Sequence, residues 1–179
     1  MSGYLILAIS GSLRGASLNT AMLNMASACS PPGMHVSLHA SLGNLPLFNP
    51  DIESHAPSAV IQLLDSIVAA DALLIASPEY AHGISSVIKN ALDWMVGSGV
   101  LVDKPVVLLS ASQRSTYAYE ALKTTITTMS GNFVTDASIT LPLLGRNLDA
   151  AGIAADPEIA RILVAALETF ERAIARARA

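Results

Sequence analysis

Two short segments, Ala72-Leu73-Leu74-Ile75-Ala76 and Pro105-Val106-Val107-Leu108-Leu109, are apolar at every position, and each is followed by a longer stretch with helical spacing. A half-exposed strand alternates in polarity, whereas a strand covered by helices on both faces does not, and such double covering goes with parallel pairing. The same alternation runs along the whole chain. Strands are predicted at 4–9, 34–40, 72–76, 105–111 and 133–140, and helices at 18–29, 57–70, 84–96, 116–129 and 157–177. The last helix carries its own start signal, Asp156-Pro157-Glu158, a capping side chain followed by proline at the first helical position. Strands joined by helix-length crossovers give an α/β fold. With right-handed connections, five strands and five helices predict a three-layer sandwich: a parallel sheet in order 2-1-3-4-5 with helices on both faces.

The 52% hydrophobic content of the 179 residues suits one compact domain over 1–179. A net charge of -4, only three lysines and no basic cluster outside the C-terminal helix argue against nucleic acid and anionic membranes as partners. The run Tyr4–Ile9 is too short to span a bilayer, has no positive region before it and leads to Arg14, so it is read as a strand and not as an address. The single cysteine, Cys29, forms no internal disulfide, and a reducing cytoplasm is the expected setting. His35, His39, His55 and His82 show no metal-ligand spacing, so no metal is expected. Gly97-Ser98-Gly99 follows a helix and lacks a third glycine, which makes it a helix C-terminal turn and not a dinucleotide fingerprint. A small-molecule ligand is the remaining class.

In a sheet of this order, ligands sit beyond the carboxyl ends of the strands at the switch point between strands 1 and 3. The loop after strand 1 is Ser10-Gly11-Ser12-Leu13-Arg14-Gly15-Ala16-Ser17-Leu18-Asn19-Thr20. Gly11 and Gly15 are read as permitting tight turning. Ser12, Ser17, Asn19 and Thr20 supply hydroxyl and amide groups, and Arg14 a forked cation. A helix starting near Ser17 presents unpaired N–H groups at its positive end, so this loop reads as a phosphate cradle; the competing reading is an ordinary turn capped by Ser17. The loop after strand 3, Ser77-Pro78-Glu79-Tyr80-Ala81-His82-Gly83, has a composition suited to a planar polar ring, or to an ordinary loop with Tyr80 packed on its neighbours. Glu79 reads as a carboxylate accepting backbone hydrogen bonds and not as a general acid or base.

Taken together, Gly11-Ser12-Leu13-Arg14 with Ser17 and Asn19, Ser77-Pro78-Glu79-Tyr80, and Val87-Ile88-Lys89-Asn90-Ala91-Leu92-Asp93-Trp94 resemble the NADPH-dependent FMN reductase family. Leu45-Pro46-Leu47-Phe48-Asn49-Pro50-Asp51 is similar to that family's proline-containing loop. The resemblance implies a flavodoxin-like fold with FMN as cofactor and NADPH as co-substrate. The FMN phosphate would be held by the loop of Ser10, Ser12, Arg14, Ser17, Asn19 and Thr20, and the isoalloxazine lined by Pro78, Glu79, Tyr80, His82 and Gly83. Ser112 and Arg114 would stand at its pyrimidine edge. It further implies hydride transfer from NADPH to flavin and then to a small acceptor (flavin, quinone, azo compound or metal oxyanion) by ping-pong kinetics, with no acid or base assigned.

The family's glycine-rich loop after strand 4 is replaced here by Ser110-Ala111-Ser112-Gln113-Arg114-Ser115-Thr116. An inward Arg114 would raise the flavin potential; a surface arginine would not. The stripe Val87, Ile88, Ala91, Leu92 and Met95, extended by Trp94, predicts a homodimer or dimer of dimers through this helix, with the Leu45–Asp51 loop near the partner's flavin. A flavodoxin-like electron-transfer module without NADPH turnover is the alternative, disfavoured by 4% aromatic content and modest charge.

Overall fold

The computed structural model describes residues 3–40, 42–143, 145–146 and 148–178. Among the described residues six parallel strands form the sheet; five run in spatial order β2-β1-β3-β6-β7, namely β2 (Met34–Leu38), β1 (Tyr4–Ser10), β3 (Ala72–Ala76), β6 (Pro105–Ser110) and β7 (Asn132–Phe133), and a sixth pairs with the end of β6. Counted as main strands, this is the expected 2-1-3-4-5 order. Alternate residues of β1 serve two cores. Ile6 and Ala8 pack under helices α1 (Leu18–Ala28), α5 (Ala150–Ala155) and α6 (Pro157–Ala177). Leu7 and Ile9 pack under α2 (Ser58–Ala69), α3 (Ser86–Val96) and α4 (Thr116–Thr128). Double covering is the reason the central strands are apolar up to their carboxyl ends, where β1 and β6 finish in Ser10 and Ser110.

Helix α6 occupies the predicted 157–177, with Asp156 accepting the N–H groups of Glu158 and Ile159 at 2.9 and 3.2 Å. Elsewhere the sequence reading needs correction. The predicted strand 133–140 is broken: β7 pairs with the start of β6, a 3-10 turn occupies Thr135–Ala137, and β8 (Ile139–Thr140) pairs with the end of β6. At the break the Leu108 N–H donates to Ser138 Oγ at 3.1 Å, so a side chain does there what a continuous strand's backbone would do. Helix α5 was not anticipated; Asp149 caps it, accepting Gly152 N–H at 2.8 Å. Strand 34–40 ends as a strand at Leu38. Helix 84–96 starts at Ser86 because the residues before it form a hairpin, β4 (Glu79–Tyr80) antiparallel to β5 (Gly83–Ile84).

Trp94 is buried within the chain and so takes no part in the second contact expected of its stripe. Its Nε1 donates to Pro46 O at 2.9 Å and its ring meets Phe48 edge-on at 5.0 Å. Asn90 fixes the same loop from both sides, accepting Phe48 N–H at 2.8 Å and donating to Pro46 O at 2.9 Å. Among the described residues, no helix is long and apolar enough to cross a membrane.

Candidate functional site

The carboxyl ends of β1, β3 and β6 feed three loops that converge on one open cleft of about 220 Å3, lined by Ser12, Arg14, Ser17 and Asn19 from the first, Pro78, Glu79 and Tyr80 from the second, and Ala111, Ser112 and Ser115 from the third. This is the switch point, where β1 passes its neighbours β2 and β3 on opposite sides. Two loops are locked together below the cleft. Gly11 N–H donates to Ala76 O at 2.8 Å, and Ser85 Oγ donates to Gly11 O at 2.6 Å while lying 3.2 Å from Ser77 Oγ. A Cβ on Gly11 would lie 2.8 Å from Ser77 Cβ, so this glycine is required by close approach. Gly15, by contrast, faces open space and does not sit at positive φ. The sequence reading missed the Ser77–Ser85 lock. Its signal is that Ser85, at the N-cap position of α3, makes no capping bond because its hydroxyl is used on Gly11.

Ser17 caps α1, accepting Thr20 N–H at 3.3 Å, and Ala21 N–H goes to Ser17 O. The next two N–H groups inside the helix start, those of Leu18 and Asn19, have no partner among the described residues. Asn19 is buried and its Oδ1 has no hydrogen-bond partner. Arg14 is exposed at the rim, and its N–H donates to Ser12 Oγ at 3.3 Å. Ser10 and Thr20 do not line the cleft. Their hydroxyls bond each other at 2.7 Å and face a smaller polar cavity of about 60 Å3 that Ser12 and His39 also line. Burial lowers the pKa of His39.

In the second loop Tyr80 is 54% exposed over the cleft. Glu79 is a backbone acceptor, as the sequence suggested, taking Ala118 N–H in the first turn of α4 at 2.9 Å. His82 and Gly83 stand outside the cleft lining, at the tip and return of the hairpin. In the third loop Ser112 is buried and lines the cleft, while Arg114 is exposed and outside the lining. The turn repeats the first loop's hydrogen bonding: Ser112 N–H lies 3.4 Å from Ser110 Oγ and Arg114 N–H 3.0 Å from Ser112 Oγ, as Ser12 and Arg14 do with Ser10 and Ser12. No cluster of metal-ligating side chains occurs among the described residues.

The family model for NADPH-dependent FMN reductase matches residues 4–142, which carry all three loops of the cleft. The chain belongs to the NADPH-dependent FMN reductase family. It is 43% identical over 110 residues to an NAD(P)H-dependent FMN reductase of Pseudomonas aeruginosa, covering 60% of this chain and 59% of that protein. It is 38% identical over 111 residues to an NADPH:quinone oxidoreductase of Arabidopsis thaliana, covering 59% and 56%. These matches span less than two thirds of the relatives' own lengths. Over the full fold, the chain resembles the flavoenzyme NAD(P)H:(acceptor) oxidoreductase FerB of Paracoccus denitrificans, with a TM-score of 0.84, 25% identity and coverage of 97% and 98%.

The residues of this family member fit FMN. A phosphate monoester needs donors and positive potential; the helix-start N–H groups of Leu18 and Asn19, the hydroxyls of Ser12 and Ser17 and the Arg14 guanidinium supply both. The Asn19 amide can offer its Nδ2 donors to a phosphate oxygen, while its Oδ1, buried without a partner among the described residues, can only accept and fits a donor group of the ligand.

Proposed function

We propose that the chain is an FMN-dependent NAD(P)H oxidoreductase of the quinone-reductase type, with residues 1–179 acting as one cytoplasmic FMN-binding domain. The observation that carries this reading is the single cleft in which a helix-start cradle with an orphaned Asn19 adjoins a wall headed by Tyr80. Bound FMN supplies the chemistry, accepting hydride from NAD(P)H and yielding electrons to a small acceptor such as a quinone, flavin, azo compound or metal oxyanion. Ser12, Arg14, Ser17 and Asn19 hold the phosphate, and Pro78, Glu79 and Tyr80 orient the ring. Ser112, which lines the same cleft, would contact the ring as well. The catalytic demand on the protein is placement, not proton transfer, so no side chain is assigned as acid or base. Since donor and acceptor use one open cleft in turn, ping-pong kinetics are expected. The protein functions as a homodimer, or a dimer of dimers, with small molecules as its other partners.

The test is the visible spectrum of purified, FMN-loaded protein during anaerobic addition of NADPH. Yellow protein that bleaches, and recovers colour on adding a benzoquinone, supports the reductase. Yellow protein that stays oxidised identifies an electron-transfer module instead.

A further inference from the structure

The tip of the β4–β5 hairpin is the two-residue turn Ala81-His82, with φ of 48° and 59°. Hairpin turns with both central residues at positive φ are best served by Asn-Gly, because a Cβ is unfavourable there. Ala81 has no side-chain group that offsets this strain. His82 does: its Nδ1 lies 3.3 Å from Glu79 Oε1, and its ring meets that of Tyr117, in the first turn of α4, edge-on at 4.5 Å. The other carboxylate oxygen of Glu79 accepts Ala118 N–H in the same turn of α4. Ser115, the N-cap of that helix, makes no side-chain capping bond, so Glu79 caps it from the hairpin. One carboxylate therefore joins the hairpin tip, the first hairpin strand and the start of α4. Tyr80, the neighbour of Glu79, lines the cleft from one side of this junction, and Ser115 lines it from the other.

We propose that His82 is a positioning residue: acting through Glu79 and Tyr117, it fixes the hairpin that carries Tyr80 against the first turn of α4 and so sets the width of the cleft. It does not line the cleft itself. A strained pair kept in place of a relaxed one, and held by a shared carboxylate and an aromatic contact, is the mark of a conformation over-determined for function and not for turn stability alone. The inference rests on the cleft being the flavin site.

The test sets turn stability against ligand placement. Replacing both tip residues, Ala81→Asn with His82→Gly, relaxes the turn while removing the contacts to Glu79 and Tyr117; Glu79→Gln keeps an oxygen for Ala118 N–H but weakens the hold on His82. His82→Asn, which tolerates positive φ, provides a second single change. FMN affinity is measured by quenching of flavin fluorescence, stability by thermal melting of the apo protein, and KM and kcat by NADPH-dependent reduction of a benzoquinone at saturating FMN. The tip variant is expected to melt no lower than wild type yet bind FMN about fivefold more weakly, with acceptor KM rising and kcat nearly unchanged, as loss of one exposed polar contact predicts. Combining Glu79→Gln with the tip changes is expected to do no more than either alone. Wild-type FMN affinity and KM in the tip variant and in His82→Asn overturn the proposal, as do fully additive effects. A wild type that binds no FMN sinks the flavin reading and this inference together; a wild type that binds FMN beside unaffected variants overturns this inference alone.

Discussion

At the level of single residues, Asn19 carries the clearest conflict between stability and ligand binding. A buried amide oxygen without a partner costs free energy that a hydrophobic side chain of similar size does not. Asn19→Leu is therefore expected to stabilise the apo protein by about 1 kcal/mol, read as a higher melting temperature. The same variant should bind FMN at least about tenfold more weakly, since the Nδ2 donor offered to the phosphate is lost together with the acceptor that Oδ1 offers the ligand. Lower apo stability together with unchanged affinity would count against any role for the amide. Arg14 differs in kind: it is exposed at the rim, so it adds charge without desolvation. Arg14→Ala is expected to weaken FMN binding more than any other exposed substitution in the first loop, with the deficit shrinking as salt is raised. Arg114 is also exposed but lies outside the cleft lining, so Arg114→Ala should leave affinity and flavin potential close to wild type. Titration and potentiometry of the two alanine variants check both statements.

Elements whose causes are local were the readable ones. Strand β1, the turn after it and α1 follow from an apolar run, a close-packed glycine and a capping serine within 25 residues of one another, and α6 follows from Asp156-Pro157 and a regular apolar face. What the sequence concealed depends on distant partners. The break between β7 and β8 exists because Ser138 reaches the Leu108 N–H, and the hairpin is stabilised by a helix start 39 residues further on. Trp94 read as the margin of an apolar stripe too wide for one contact because the segment that covers it, Pro46–Phe48, lies far back in the chain. Trp94→Phe tests that cover. The ring volume is largely kept and Pro46 O still accepts from Asn90, so a loss of about 1 kcal/mol is expected, whereas Trp94→Ala should cost about 3–5 kcal/mol. Chemical denaturation measures both. Asp156 gives α6 a pH dependence. The Ile159 N–H first, then that of Glu158 and the Arg146 guanidinium, hold its carboxyl below the usual carboxylate range. A depressed folded-state value means the stabilisation is complete above the ordinary range, near pH 4, and is lost as pH falls through the folded value. Melting temperature should fall on acidification toward pH 3, and fall less steeply in Asp156→Asn, which caps without titrating.

For the whole molecule, burial of Trp94 removes one argument for self-association and leaves another. The bonds that Asn90 makes to Pro46 and Phe48 pin the loop along α3 and leave Leu47 between them 83% exposed, with Ile52 and Val96 at 37% and 61% on the adjoining turn and helix end. Large apolar side chains on a loop held this firmly favour contact with another surface over local collapse. The expected partner is a second copy of the chain, and a stable dimer buries about 800 Å2 on each protomer, so these residues form the centre of the contact and not its whole extent. The rigid loop costs little further entropy on association. Sedimentation at micromolar concentration is expected to give a dimer for the wild type and a monomer for Leu47→Asp combined with Val96→Asp. Both positions are already exposed, so the double variant should keep the wild-type melting temperature of the isolated fold. If the loop also borders the partner's flavin, the monomer should bind FMN more weakly although every cradle residue is intact. A wild type that sediments as a monomer refutes the dimer, and a monomeric variant with full FMN affinity shows that each cleft is complete within one chain.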